Sequence, residues 1–208
     1  MNIVVAKNEL DTKIANEALK SDKQLEKLIQ TIESGQRRDR QHAAAAINII
    51  SKTDADVLGK HIDTLIDGLN RPEAQTRWEL LEAMATLVDI DEDACGKAIP
   101  EAEAALFDEE SGSVRLGAMR FVCKLGATSE ERSEQTWPLI DEAIQCYHGD
   151  LEFNDMLNAL IDFSKGSLSD DVKAALKDRM SFDAANAKGT LKRRAQTIID
   201  NLEGTKSE

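Results

Sequence analysis

An all-α chain built from repeated helical hairpins is predicted by three observations: its composition, the helical spacing of its apolar residues, and one pattern that returns about every 38 residues. Aromatics make up 4% of the 208 residues and proline occupies only 3 positions, while hydrophobic residues reach 41%. Alanine, leucine, glutamate and lysine, the strong helix formers, abound. Aromatic strand formers are too sparse for a β-sandwich, and the apolar content suffices for a core in a chain of this length.

Aligned on one polar anchor, the repeating segments are Arg40 in "RQHAAAAINII", Arg77 in "RWELLEAMATL", Arg115 in "RLGAMRFVCKL", Asn154 in "NDMLNALIDFS" and Lys192 in "KRRAQTIIDNL", with steps of 37, 38, 39 and 38. Positions 3, 6, 7 and 10 beyond the anchor share one face of an α-helix. They hold Ala43, Ala46, Ile47 and Ile50, then Leu80, Ala83, Met84 and Leu87, then Ala118, Phe121, Val122 and Leu125. The last two segments continue with Leu157, Leu160, Ile161 and Ser164, and with Ala195, Ile198, Ile199 and Leu202.

A second apolar helix precedes each anchor, so each unit is a hairpin. Its buried face is expected from Leu25, Leu28, Ile29 and Ile32; from Leu58, Ile62, Leu65, Ile66 and Leu69; from Ile99, Ala102, Ala105 and Leu106; from Trp137, Ile140, Ala143, Ile144 and Tyr147; and from Val172, Ala175, Leu176 and Met180. Ser21 with Asp22, Thr53 with Asp54, and Ser167 with Ser169 are N-cap candidates, and Pro72 suits an early turn position before a second helix. The expected organisation is a single domain over 1–208, with repeats at about 22–52, 53–90, 91–127, 128–166 and 167–203. A capping helix within 1–21 would use Leu10, Ile14 and Leu19 as its apolar face, and 204–208 would be a flexible tail.

The segment "IPEAEAALFDEESGSVRLGAMRFVCKL" resembles a HEAT repeat of the HEAT/armadillo-like families: a proline in the first helix (Pro100), an aspartate near its end (Asp108), then Val114 and Arg115 opening the second helix. Pro138 occupies the matching place one repeat later, and the likeness extends over roughly 22–203. The resemblance implies an α-α superhelix whose second helices line a concave side. It also implies a ladder between the arginine and the acid seven residues before it, matching Arg40 with Glu33, Arg77 with Asn70 and Arg115 with Asp108. Tyr147 before Asn154 and Ala185 before Lys192 break that pattern.

Charge narrows the function. With 26 basic and 39 acidic side chains the net charge is −13, so the averaged field opposes nucleic acid and anionic membranes. The basic clusters Arg37, Arg38, Arg40 and Lys192, Arg193, Arg194 fall in the first and last repeats; at the usual interhelical spacing, four repeat steps part them by about 40 Å. The acidic runs at 89–94, 107–113 and 129–134 are expected in solvated inter-helix loops. Cysteines at 95, 123 and 146 are odd in number and form no Cys-x-x-Cys pair, which fits free thiols in a reducing compartment. The apolar run in "MNIVVAKNELD" is too short for a signal sequence, and no stretch reaches about 18 apolar residues. A cytoplasmic protein is expected.

No catalytic constellation emerges. One HEAT-like class of hydroxylases holds iron with His-Glu pairs, but His42, His61 and His148 are followed by Ala, Ile and Gly. No cofactor or metal is expected. A DNA glycosylase-like repair protein would use tryptophans, for which Trp78 and Trp137 are the candidates, and a basic channel that the acidity argues against. A bilin lyase-like protein is the other enzymatic alternative. Trp137 is expected to pack within its repeat.

Surface recognition is the principal expectation: a non-enzymatic scaffold binding a protein or peptide. Positions 1, 5 and 8 beyond the anchor point away from the core and gather Gln41, Ala45, Asn48; Trp78, Glu82, Ala85; Leu116, Arg120, Cys123; Asp155, Ala159, Asp162; and Arg193, Thr197, Asp200. Trp78 and Leu116 fall side by side as an apolar anchor, with Glu82, Arg120 and Asp155 as a polar rim; exposed tryptophan ringed by polar groups is a common hot-spot composition. The competing expectation is that Trp78 leans onto Leu81 as core filler. The oligomeric state is not legible.

Overall fold

The computed structural model describes residues 2–204, with side chains from residue 9, and is α-helical with no strand among those residues. The helices run α1 (Asn2–Ala18), α2 (Asp22–Ser34), α3 (Arg37–Ser51), a 3-10 stretch (Ala55–His61), α4 (Ile62–Gly68), α5 (Ala74–Leu87), α6 (Glu92–Gly96), α7 (Ile99–Leu106), α8 (Gly112–Gly126), α9 (Glu130–Tyr147), α10 (Phe153–Phe163), α11 (Asp170–Asn186) and α12 (Gly189–Leu202). The chain divides into two compact units, Met1–Ala118 and Met119–Glu208, the division falling within α8.

Helix ends follow local chemistry. Ser21, Asp91, Ser129 and Ser169 each sit in extended backbone at an N-cap and accept a hydrogen bond from the amide three residues on, meeting one of the four donors that a helix start leaves unpaired. Asp54 stands at the expected start but caps nothing, and the Thr53 hydroxyl turns back to the Ile49 carbonyl at 2.7 Å. In the acidic run 129–134 the residues from Glu130 onward form the first turns of α9 rather than a loop, because carboxylates beside a helix N-terminus are favoured by its dipole.

The expected two-helix hairpin holds for the first, fourth and fifth repeats, but in the second and third the first helix is split. In the third, Pro100 has no amide to donate to the Gly96 carbonyl one turn earlier, so α6 ends at Gly96 and α7 restarts at Ile99. The second repeat begins as 3-10 and becomes α-helical only at Ile62.

In the first unit the helices pack in two rows: α2 on α4, and α1 on α3 on α5. All the second-helix residues expected inward from Ala43 to Leu87 are buried, as are Leu25, Leu28, Ile29, Ile32 and the five from Leu58 to Leu69. A Cβ at Gly68 would lie 2.5 Å from Leu80 Cδ1 and 2.8 Å from Ile32 Cγ2, a measure of how closely α2, α4 and α5 meet. Helix α1 departs from expectation: Asp11, Ala15 and Ala18 are buried, while Leu10 and Leu19 are exposed. Buried Asp11 receives the His42 ring, Nδ1 to Oδ1 at 2.6 Å, on the helix that packs against α1.

In the second unit α11 packs on α9 and on α12, and α10 on α12. Its core holds Phe121, Val122, Leu125, Ile140, Ala143, Ile144, Leu157, Leu160, Leu176, Met180, Ala195, Ile198 and Ile199, while Trp137, Tyr147, Ile161, Ala175 and Leu202 are half-buried. Polar links again join segments one repeat apart: Ser169 donates its amide to Ser133 Oγ at 3.0 Å, Arg179 forks onto Asp141 at 2.7 and 2.9 Å, Asn201 donates to Ser164 Oγ at 2.9 Å, and His148 meets Asp183 at 3.0 Å. Of the expected tail, Gly204 takes positive φ after α12, and 205–208 lie outside the described residues.

Candidate functional site

The face expected to bind is built on α3, α5 and α8, and its supports are ionic. Glu73, in the N-cap position of α5, is nearly buried and is held by the Arg40 guanidinium, whose Nε lies 3.3 Å from its Oε2. One turn into α5, Arg77 Nη2 donates to Asp108 Oδ2 at 2.7 Å. For Arg40 and Arg77 the ladder therefore runs to an acid of the following repeat, not to the residue seven positions earlier. Glu33 instead gives its backbone carbonyl to Arg71 at 2.7 Å, and Arg115 donates to the Asp108 carbonyl at 2.8 Å. Reach explains the change: within a repeat the arginine meets the end of the preceding helix, whose free groups are carbonyls. A carboxylate at the right height comes only from the next layer.

Burial pushes the Asp108 carboxyl up, but the hydrogen bonds from Arg77 and the amides of Ser111 and Glu110, with the Arg77 charge, hold it below its ordinary value. Glu73 is likewise raised by burial and more strongly lowered, by the Arg40 hydrogen bond, its own backbone amide and the charges of Arg40 and Arg37. Both carboxylates are thus ionised struts that fix where α5 begins and hence where Trp78 stands.

Trp78 and Leu116 are both half-buried. Their turns touch: a Cβ on Gly117 would lie 3.5 Å from the Trp78 carbonyl oxygen and 3.3 Å from Leu81 Cβ, so little room separates the two turns. The indole Nε1 of Trp78 is covered and has no hydrogen-bond partner. Asn48, on α3, donates to Glu79 Oε2 at 2.6 Å while its Oδ1 is buried and unpartnered. Glu82 is half-buried and Arg120 exposed, each one turn beyond its apolar neighbour. Asp155 is exposed at the start of α10 in the second unit.

Three residues expected outward are not. Cys123 is 1% exposed, and Ala45 and Ala159 are buried at 6% and 7%. Position 8 of α8 and position 5 of α3 and α10 fall on the flank of the inward face, where a small side chain is drawn under its neighbours. Burial, and then the nearby Asp162, push the Cys123 thiol far up; burial and then Asp91 push Cys95 up to about 12. Neither is a nucleophile at neutral pH. Cys146 is exposed, and all three cysteines are free. Among the described residues no group of three or more His, Cys, Asp or Glu side chains could hold a metal ion, and no helix is long and apolar enough to cross a membrane.

No family model matches the sequence, and no curated protein matches it. Solved structures do. A designed armadillo repeat protein in complex with the peptide (KR)4 superposes with a TM-score of 0.71 at 14% identity, covering 92% of this chain and 91% of the other. An engineered protein gives 0.70 at 14% identity over 98% and 95%, and a computationally designed armadillo repeat protein for modular peptide recognition gives 0.66 at 14% over 92% and 91%. The chain has an armadillo-like helical-repeat fold. The split first helices of the second and third repeats give each of those repeats three helical pieces.

Proposed function

We propose that the armadillo-like chain is a non-enzymatic scaffold that holds a segment of a protein or peptide along its second helices, with Trp78 and Leu116 as the apolar anchor and Glu82, Arg120 and Asp155 as polar contacts. The observation that carries this reading is the pair of unused hydrogen-bonding atoms on α3 and α5, the Trp78 donor and the Asn48 acceptor. A covered, unbonded N–H is costly, and a ligand that lets the indole turn and bond recovers that cost. The structural neighbours supply the second support, since one was solved with a peptide and another was designed to recognise peptides. Free thiols at Cys95, Cys123 and Cys146 fit a reducing cytoplasm.

The test is capture of a partner from the native cell by the immobilised chain, repeated with the Trp78→Ser/Leu116→Ser double variant. Loss of the captured protein with helix content retained supports the reading; retention of capture refutes it. The single-domain organisation is likewise a proposal. Calorimetry decides it: one transition supports a single domain, and two separable transitions, one for each compact unit, count against it.

A further inference from the structure

In the first unit one flank of the α1–α2 pair carries no other described helix. Helix α1 stands in the row of α3 and α5, and α2 heads the row that continues with α4. The described chain holds no helix beside α1 in the row of α2. An open cavity of about 310 Å³ lies there, floored by Leu10, Ile14, Ala18 and Leu28 and flanked by Lys13 and Lys27. The lining recurs at one-turn intervals on both helices, and the eight residues between the first and last α1 contributors rise about 12 Å. Leu10 is 42% exposed although it belongs to the stripe that the sequence marks for burial.

Charge distinguishes this groove from the rest of the acidic chain. Lys13 and Lys27 supply two cations to the rim, and the Lys13 charge also acts on Glu17. Glu17, the one carboxylate on the rim, is engaged by Lys20 at 2.5 Å and is held below its ordinary value chiefly by that hydrogen bond. A helix laid on α2 in this place would continue the row and cover the apolar floor, and its carboxylates would meet two cations.

We propose that the groove between α1 and α2 seats an amphipathic helix of a partner protein, acidic on both sides of an apolar stripe, as a docking site separate from the Trp78 face. The mode is helix-in-groove recognition, with apolar anchors at i, i+3 or i+4, and i+7, and the lysines select the sign of the flanking charge.

The experiment titrates the full isotopically labelled chain with two capped synthetic 18-residue helices that share one leucine stripe, one flanked by glutamates and the other by lysines. The glutamate helix shifts amides of residues 10–31 and binds at least tenfold more tightly than the lysine helix. The Lys13→Glu/Lys27→Glu variant reverses that preference, and Leu10→Glu weakens the glutamate helix at least tenfold. These three side chains are exposed, so melting should be unchanged; if Leu10→Glu does lower it, the charge reversal alone decides. Four results overturn the proposal: no shift with either helix, equal binding of both, shifts centred on Trp78, or concentration-dependent self-association through the groove abolished by Leu10→Glu, which would make a second copy of this chain the occupant.

Discussion

Arg77 of the second repeat is joined to Asp108 of the third by a 2.7 Å hydrogen bond between Nη2 and Oδ2, with both side chains less than one-fifth exposed. Asp108 is bonded on its other oxygen by the amides of Ser111 and Glu110 at 2.7 and 3.0 Å, and so ties α5 to the turn that opens α8. Asp108→Asn removes the charge while keeping most of the shape. It should lower stability by about 2 kcal/mol, the scale of a charge-assisted bond in a partly buried place, read as a shift in the denaturant midpoint at constant slope.

Acid should act on this protein in two stages. His61 is 7% exposed; burial first, and Lys60 last, lower it below its ordinary 6.5, against the opposing pull of Glu26. The folded state therefore takes up that proton less readily than the unfolded chain, and stability falls as pH drops below 6.5. Asp108 and Glu73 are depressed carboxylates, so their contribution is full above their ordinary values of 3.8 and 4.5 and is lost as pH falls through the folded values. Melting temperature against pH should show both declines, and His61→Gln should remove only the upper one.

Trp78→Phe deletes the unbonded indole N–H and keeps an aromatic ring. Because a covered donor without a partner is destabilising by about 1–3 kcal/mol, this substitution should leave the melting temperature unchanged or raise it, an unusual result for a half-buried tryptophan. A marked fall would mean that the indole's second ring, not its N–H, dominates the local energetics.

At Gly126, the last residue of α8, an added Cβ would sit on Thr136 Oγ1 and 2.9 Å from Phe163 Cε2. Gly126→Ala should cost about 3 kcal/mol or more, at the upper end of overpacking penalties. The Gly126→Ala/Thr136→Ala double variant should recover part of that loss, since it removes one of the two obstacles.

Local rules carried the sequence reading a long way. The anchor spacing placed the second helices, and every inward residue named from Ala43 to Leu125 on α3, α5 and α8 is buried, because helical periodicity is an intrachain property set by 3.6 residues per turn. The Ser21 and Ser169 caps were legible for the same reason. The candidate face was only partly so. Spacing brought Trp78 and Leu116 onto adjacent turns, but whether an indole nitrogen is covered is not set by the periodicity of its own helix.

The sequence by itself determined the helical class, the repeat period and the inward faces of α3, α5 and α8, since these follow from short-range spacing and propensity. Tertiary structure decided which acids Arg40 and Arg77 meet, that Asp11 rather than Leu10 would be buried on α1, that Cys123 would be enclosed, and that a groove flanked by Lys13 and Lys27 would lie between α1 and α2. Those outcomes depend on the height at which one layer of helices meets the next. A shift of one side chain across that contact changes a partner without changing the pattern within either helix.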